Sequence, residues 1–147
     1  MDFQFMKQRI AGGVGADDRF WESLEEGVFR ICRCSGCEKW LWPPHWRCAA
    51  CGAWDQEWVD RELRGTLFTW TRTWMPFEAV SERAQEVPYT VGVVEIPDTD
   101  GARVIGILDG DTENVRIGRA VRGVIDPPCE KTKWYATIRW ILEPEVA

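Results

Sequence analysis

One histidine, three serines and no long run of lysine or arginine occur in these 147 residues. With His45 alone, and with Ser23, Ser35 and Ser81 as the serines, the chain offers no G-x-S-x-G elbow and no H-E-x-x-H helix. It also has no phosphate-cradling glycine loop. Acidic pairs such as Asp98 with Asp100, and Asp109 with Asp111, sit beside glycine in expected turns. There aspartate is a turn former before it is a catalyst. No acid, base and nucleophile set assembles, so no catalytic residue is assigned and a binding or accessory role is expected. Nor does any stretch approach the roughly 18 apolar residues that span a bilayer. Met1 to Ile10 mixes Asp2, Lys7 and Arg9 with Phe3 and Phe5 and lacks the apolar centre of a secretory signal. A cytoplasmic location with no membrane partner is the expectation.

The formal net charge of −6 opposes a phosphate backbone, and a bound tetrathiolate centre would add further negative charge. Single-stranded nucleic acid is therefore a secondary reading, carried by aromatic residues and by a barrel-like strand pattern.

Cysteine is what the chain does have. Five of its six cysteines fall between residues 32 and 51. That clustering fits metal binding in a reducing compartment better than a disulfide framework. Cys34-x2-Cys37 and Cys48-x2-Cys51 each let two thiolates of one tight turn reach one ion, and the two pairs together complete a tetrahedron. The expected metal ligands are Cys34, Cys37, Cys48 and Cys51, holding a structural Zn2+. Iron also suits four thiolates, but no electron-transfer motif accompanies the site. Gly52 follows the second pair and Glu38 the first, a less comfortable residue for the same turn. Cys32 reads as a small buried side chain on the face of Cys34, and His45 as a packing or hydrogen-bonding group in the crossover. Cys129, after Pro127-Pro128, is read as having no histidine or basic partner in sequence to lower its pKa and is not counted as a nucleophile.

The remaining pattern divides the chain into an arm at 1–16, a helix plus ribbon at 17–57 and a barrel at 58–147. Asp17 or Asp18 caps a short helix with Phe20, Trp21 and Leu24 on one face and Gly27 as its stop. Five strands are expected, over 67–74, 89–96, 103–108, 119–125 and 134–142, with a loop of about a dozen residues before Pro88. Few helices and irregular connections indicate a mainly β chain with a five-stranded OB-fold barrel. Of ten tryptophans, seven lie between Trp40 and Trp74. Trp40, Trp42 and Trp46, in the proline-interrupted crossover, are the candidates for a surface that meets another protein.

The order of these features resembles the DUF35 family. Phe20-Trp21 precedes the Cys34 to Cys51 ribbon with Pro43-Pro44 inside it. Arg64-Gly65-Thr66-Leu67-Phe68-Thr69-Trp70-Thr71, Pro88-Tyr89 and Ile117-Gly118-Arg119-Ala120-Val121 follow. The resemblance implies a rubredoxin-like zinc ribbon followed by an OB-fold domain. It also implies a non-catalytic subunit of a thiolase-type complex acting on acyl-CoA, in which the partner supplies the reactive residues for making or breaking a C–C bond. Thiolytic or retro-aldol steps of aromatic or steroid degradation are examples. The expected partner is a thiolase-like protein in a hetero-oligomer, a heterotetramer by analogy, with acyl-CoA as ligand of the complex. Leu63, Glu38 and His45 depart from the family's usual glycine, glycine and arginine.

Overall fold

The computed structural model describes residues 15–146 except Asp55. Residues 1–14 of the expected arm lie outside them. Two compact units divide between Glu62 and Leu63. Among the described residues no helix is long and apolar enough to cross a membrane.

In the first unit, α1 (Asp18–Glu25) buries Phe20, Ser23 and Leu24, at the three- and four-residue spacing of one helical face. Asp17 Oδ2 accepts a hydrogen bond from Trp21 Nε1 at 3.0 Å. The helix stops at Gly27, whose φ of 77° lets its N–H reach the Leu24 carbonyl while Val28 N–H reaches that of Ser23. Phe20 then packs edge-to-face on Trp42, ring centres 4.8 Å apart, and on Phe29 at 6.4 Å. Strands β1 (Arg30–Cys34) and β2 (Gln56–Asp60) form a two-stranded antiparallel sheet with Cys32 opposite Trp58. The segment carrying Trp58, which the sequence pattern assigned to the barrel, is thus a ribbon strand.

The second unit is a closed barrel of β3 (Arg64–Thr73), β4 (Tyr89–Glu95), β5 (Arg103–Asp109), β6 (Ala120–Asp126) and β7 (Thr137–Leu142). Its order is β3-β4-β5-β7-β6, and β3 pairs back to β6 through Arg64↔Arg122 to Thr66↔Ala120. All five expected strands are present, and this is the five-stranded OB arrangement. The period-two pattern decides what faces inward. On β4, Thr90, Gly92 and Val94 are buried, and on β7 Ile138, Trp140 and Leu142. A register shift between Leu67 and Thr69 on β3 leaves Phe68 exposed, and the Arg103 guanidinium stacks over its ring, 3.5 Å from the centre.

Trp140 is completely buried in the barrel. Its indole fits because two neighbouring strands offer no side chain there. A Cβ at Gly123 would lie 2.8 Å from Trp140 Cζ3, and one at Gly106 would lie 2.5 Å from the Ile138 carbonyl oxygen and 2.9 Å from Trp140 Cδ1. Gly123→Ala is accordingly expected to destabilise the barrel by about 1–3 kcal/mol through overpacking. Denaturant unfolding measures it, and an unchanged midpoint would mean that the indole has room to yield.

Candidate metal centre and barrel cleft

The four expected ligand cysteines converge. Their Sγ atoms all lie within 4.8 Å of one another, with Cys34 and Cys51 3.4 Å apart and Cys37 and Cys48 3.7 Å apart. A zinc–sulfur bond of about 2.3 Å sets a tetrahedron edge of about 3.8 Å, so the sulfur spacing matches zinc. Both knuckles are built alike. The N–H of Glu38 donates to the Cys34 carbonyl at 3.0 Å, and that of Gly52 to the Cys48 carbonyl at 2.8 Å. In the first knuckle the N–H groups of Gly36 and Cys37 point at Cys34 Sγ, 3.3 and 3.5 Å away.

These donors favour thiolate at Cys34 and Cys48, whereas Cys37, drawn down by the Lys39 N–H, is pushed up to about 11 by burial and by the other three sulfurs. The N–H of Cys51, with that of Ala50, draws the Cys48 thiol down to about 6, and those of Cys37 and Gly36 lower Cys34. Cys32 shows the opposite chemistry. Burial pushes its thiol up to about 12, with the charge of Cys34 adding, so it stays neutral and packs with Leu41 and Trp58 beside the cluster. Four thiolates would fill every position of a tetrahedral ion and leave none for a substrate, the arrangement of a structural site. His45 stands apart from the cluster, its Nδ1–H donating to the Pro43 carbonyl at 3.0 Å.

The crossover tryptophans are less available than the sequence suggested. Trp40, Trp42 and Trp46 are half-buried, and the guanidinium groups of Arg33 and Arg61 lie over Trp40, 5.6 and 5.3 Å from its ring centre. Proline-rich composition had implied solvent, but Phe20 packs on Trp42 and the two guanidinium groups cover Trp40. The prominent exposed aromatics lie on barrel loops instead: Trp74 and Trp134 are each 69% exposed, and Phe77 55%.

The barrel also carries a cleft of about 630 Å3, where the loops before β4 and before β7 meet the strand ends. The position corresponds to the general ligand face of OB folds, the second and third strands with their flanking loops. Its cations are all paired. Arg139 lies between Asp126, at 2.8 and 3.1 Å, and Asp109, at 3.0 Å, and these carboxylates raise its pKa. Arg83 pairs with Glu86 at 2.8 Å, and Lys131 pairs with Glu86 as well. Cys129 lies on this rim, exposed. The Thr132 hydroxyl and N–H lower its thiol pKa, with smaller help from the Lys131 N–H and the Arg83 charge. Reading neighbours in sequence missed Arg83, which arrives from a loop more than forty residues earlier. The usable signal was the charge pattern, acids at 82 and 86 and lysines at 131 and 133.

Comparison with known proteins agrees with this architecture. The profile described as "ChsH2, rubredoxin-like zinc ribbon domain" matches residues 21–55, and "ChsH2, C-terminal OB-fold domain" matches residues 58–126. A solved chain of the "Ltp2-ChsH2(DUF35) aldolase" shares the fold with a TM-score of 0.75 at 21% identity, covering 92% of this chain and 98% of that one. A DUF35-family protein of unknown function from Sulfolobus solfataricus gives a TM-score of 0.57 at 16% identity, covering 87% of this chain and 85% of its own. A "Probable enoyl-CoA hydratase alpha subunit" of Thermomonospora curvata is 29% identical over 110 residues, 74% of this chain. The chain spans about a third of the length of that relative, 33%.

The knuckles differ at one backbone position. Glu38 holds φ at 62° where Gly52, its counterpart, holds 81°. A left-handed conformation costs a residue with a Cβ about 1–2 kcal/mol, part of which glycine returns through a freer unfolded chain. Glu38→Gly is therefore expected to stabilise the ribbon by about 0.5–1 kcal/mol. Urea titration followed through ribbon amide signals by NMR reads the change, and a destabilised ribbon would show that the Glu38 side chain contributes more than its backbone loses.

Proposed function

The chain belongs to the DUF35 family, a rubredoxin-like ChsH2-type zinc ribbon followed by an OB-fold domain, and from that premise we propose that it is a non-catalytic subunit of an enzyme complex acting on acyl-CoA in the cytoplasm. In this reading Cys34, Cys37, Cys48 and Cys51 hold one structural zinc ion. A partner chain of thiolase type carries the residues that make or break the C–C bond. The observation that carries the reading is the near-complete match in length and fold to the DUF35 chain of an aldolase, 98% of which is covered. That neighbour favours a retro-aldol step over a thiolytic one. The relative named as a hydratase subunit points to the same class of CoA thioester substrates.

The chemistry on the surface supports a protein partner. Trp74, Met75, Phe77 and Trp134 are exposed large apolar side chains of the kind that anchor protein interfaces. The rival reading, a single-stranded nucleic-acid binder, draws on the OB fold. It is disfavoured because Arg83, Lys131 and Arg139 in the cleft are already neutralised by carboxylates, and because the whole chain is acidic.

Gentle affinity purification of the tagged full chain from its native host is expected to retain a thiolase-like protein in near-equal amount. Recovery of the chain alone, or with nucleic acid that is released as salt rises, would overturn the proposal.

A further inference from the structure

The loops that border the barrel cleft are 3-10 turns with no fully buried residue, at Glu78–Glu86, interrupted at Val80, and at Glu130–Thr132. Segments that bury so little are held only weakly by the hydrophobic effect. What ties one to the other is charge. Glu82 pairs with Lys133 and Glu86 with Lys131, so two carboxylates four residues apart on the first loop meet two lysines two residues apart on the second. Arg83 turns back to Glu86 at 2.8 Å, fixing that carboxylate toward the other loop. Glu86, Lys131 and Arg83 are all part of the cleft wall. The Glu86–Lys131 pair therefore closes one side of the cavity, Glu82–Lys133 joins the same two loops outside its wall, and parting the loops would open it.

We propose that these two loops form an electrostatic latch on the barrel cleft, closed by Glu82–Lys133 and Glu86–Lys131 and released when those pairs are screened or removed. The strands beneath are held by a different kind of interaction. Thr90, Leu108 and Ile138, whose residues line the same cleft, are buried within the barrel ladder. Release thus moves the loops and leaves the cleft floor in place. A partner or ligand carrying its own charges at this rim would exchange for the latch pairs, which makes the cleft responsive to ionic surroundings.

Amide hydrogen exchange by mass spectrometry on the zinc-loaded full chain tests this. The reporting amides are those of Val80 on the first loop, bonded to the Phe77 carbonyl, and of Thr132 to Tyr135 on the second, bonded within their own turn. Raising the salt from about 0.1 M to about 1 M shrinks the Debye length from about 10 Å to about 3 Å. Exchange in both loops is expected to accelerate together, about three- to tenfold for two partly exposed pairs, with β4 and β7 unchanged. Glu82→Gln is expected to exchange fast already at low salt and to lose much of the salt response. The charge swap Glu82→Lys with Lys133→Glu is expected to restore slow, salt-sensitive exchange. Salt-independent exchange, a response in one loop without the other, or a swap that fails to restore protection would each overturn the latch.

Discussion

Four sulfurs held within 4.8 Å of one another are a configuration that a polypeptide resists without a cation. As thiolates, two such neighbours about 4 Å apart repel by about 4 kcal/mol at an effective dielectric of 20. Backbone N–H groups aimed at two of them nevertheless lower the Cys34 and Cys48 thiols. The surrounding unit is small: one eight-residue helix, two five-residue strands and a modest set of buried side chains around Ile31, Leu24 and Phe20. A unit of that size needs a staple beyond its apolar core, and in zinc-binding domains metal affinity is itself folding free energy.

The barrel solves the same problem by other means. It closes its sheet, so no strand edge is left open, and fills the interior with branched aliphatic side chains and one fully buried tryptophan. Gly106 and Gly123 supply the space for that indole. On its loops lie the exposed Trp74, Phe77 and Trp134 and the Glu82–Lys133 and Glu86–Lys131 pairs. A surface whose cations are internally neutralised favours apolar contact with a folded partner over attraction to a polyanion.

The sequence was readable wherever one short-range rule dominated. The two C-x2-C pairs and Gly27 as a helix stop each follow from local geometry. Tertiary packing governed what was missed. Nothing near Trp42 in sequence discloses that Phe20 covers it, and Arg83 becomes a neighbour of Cys129 only when two loops meet at the barrel. Residues 58–60 of the strand at Gln56–Asp60 were assigned to the barrel because a short segment with one tryptophan and one valine carries almost no periodicity of its own.

The family's fold, the tetrathiolate centre and the exposed loop aromatics fit a chain that supports chemistry carried out by another. That account depends first on the centre being a closed, structural zinc site. Metal content and ribbon structure of the purified full chain, compared with Cys48→Ser, test it directly. The expected result is one zinc per chain, with loss of both the metal and the dispersed amide signals of the ribbon in the variant. A ribbon that stays folded without metal, or a Cys48→Ser chain that keeps its zinc, would contradict it.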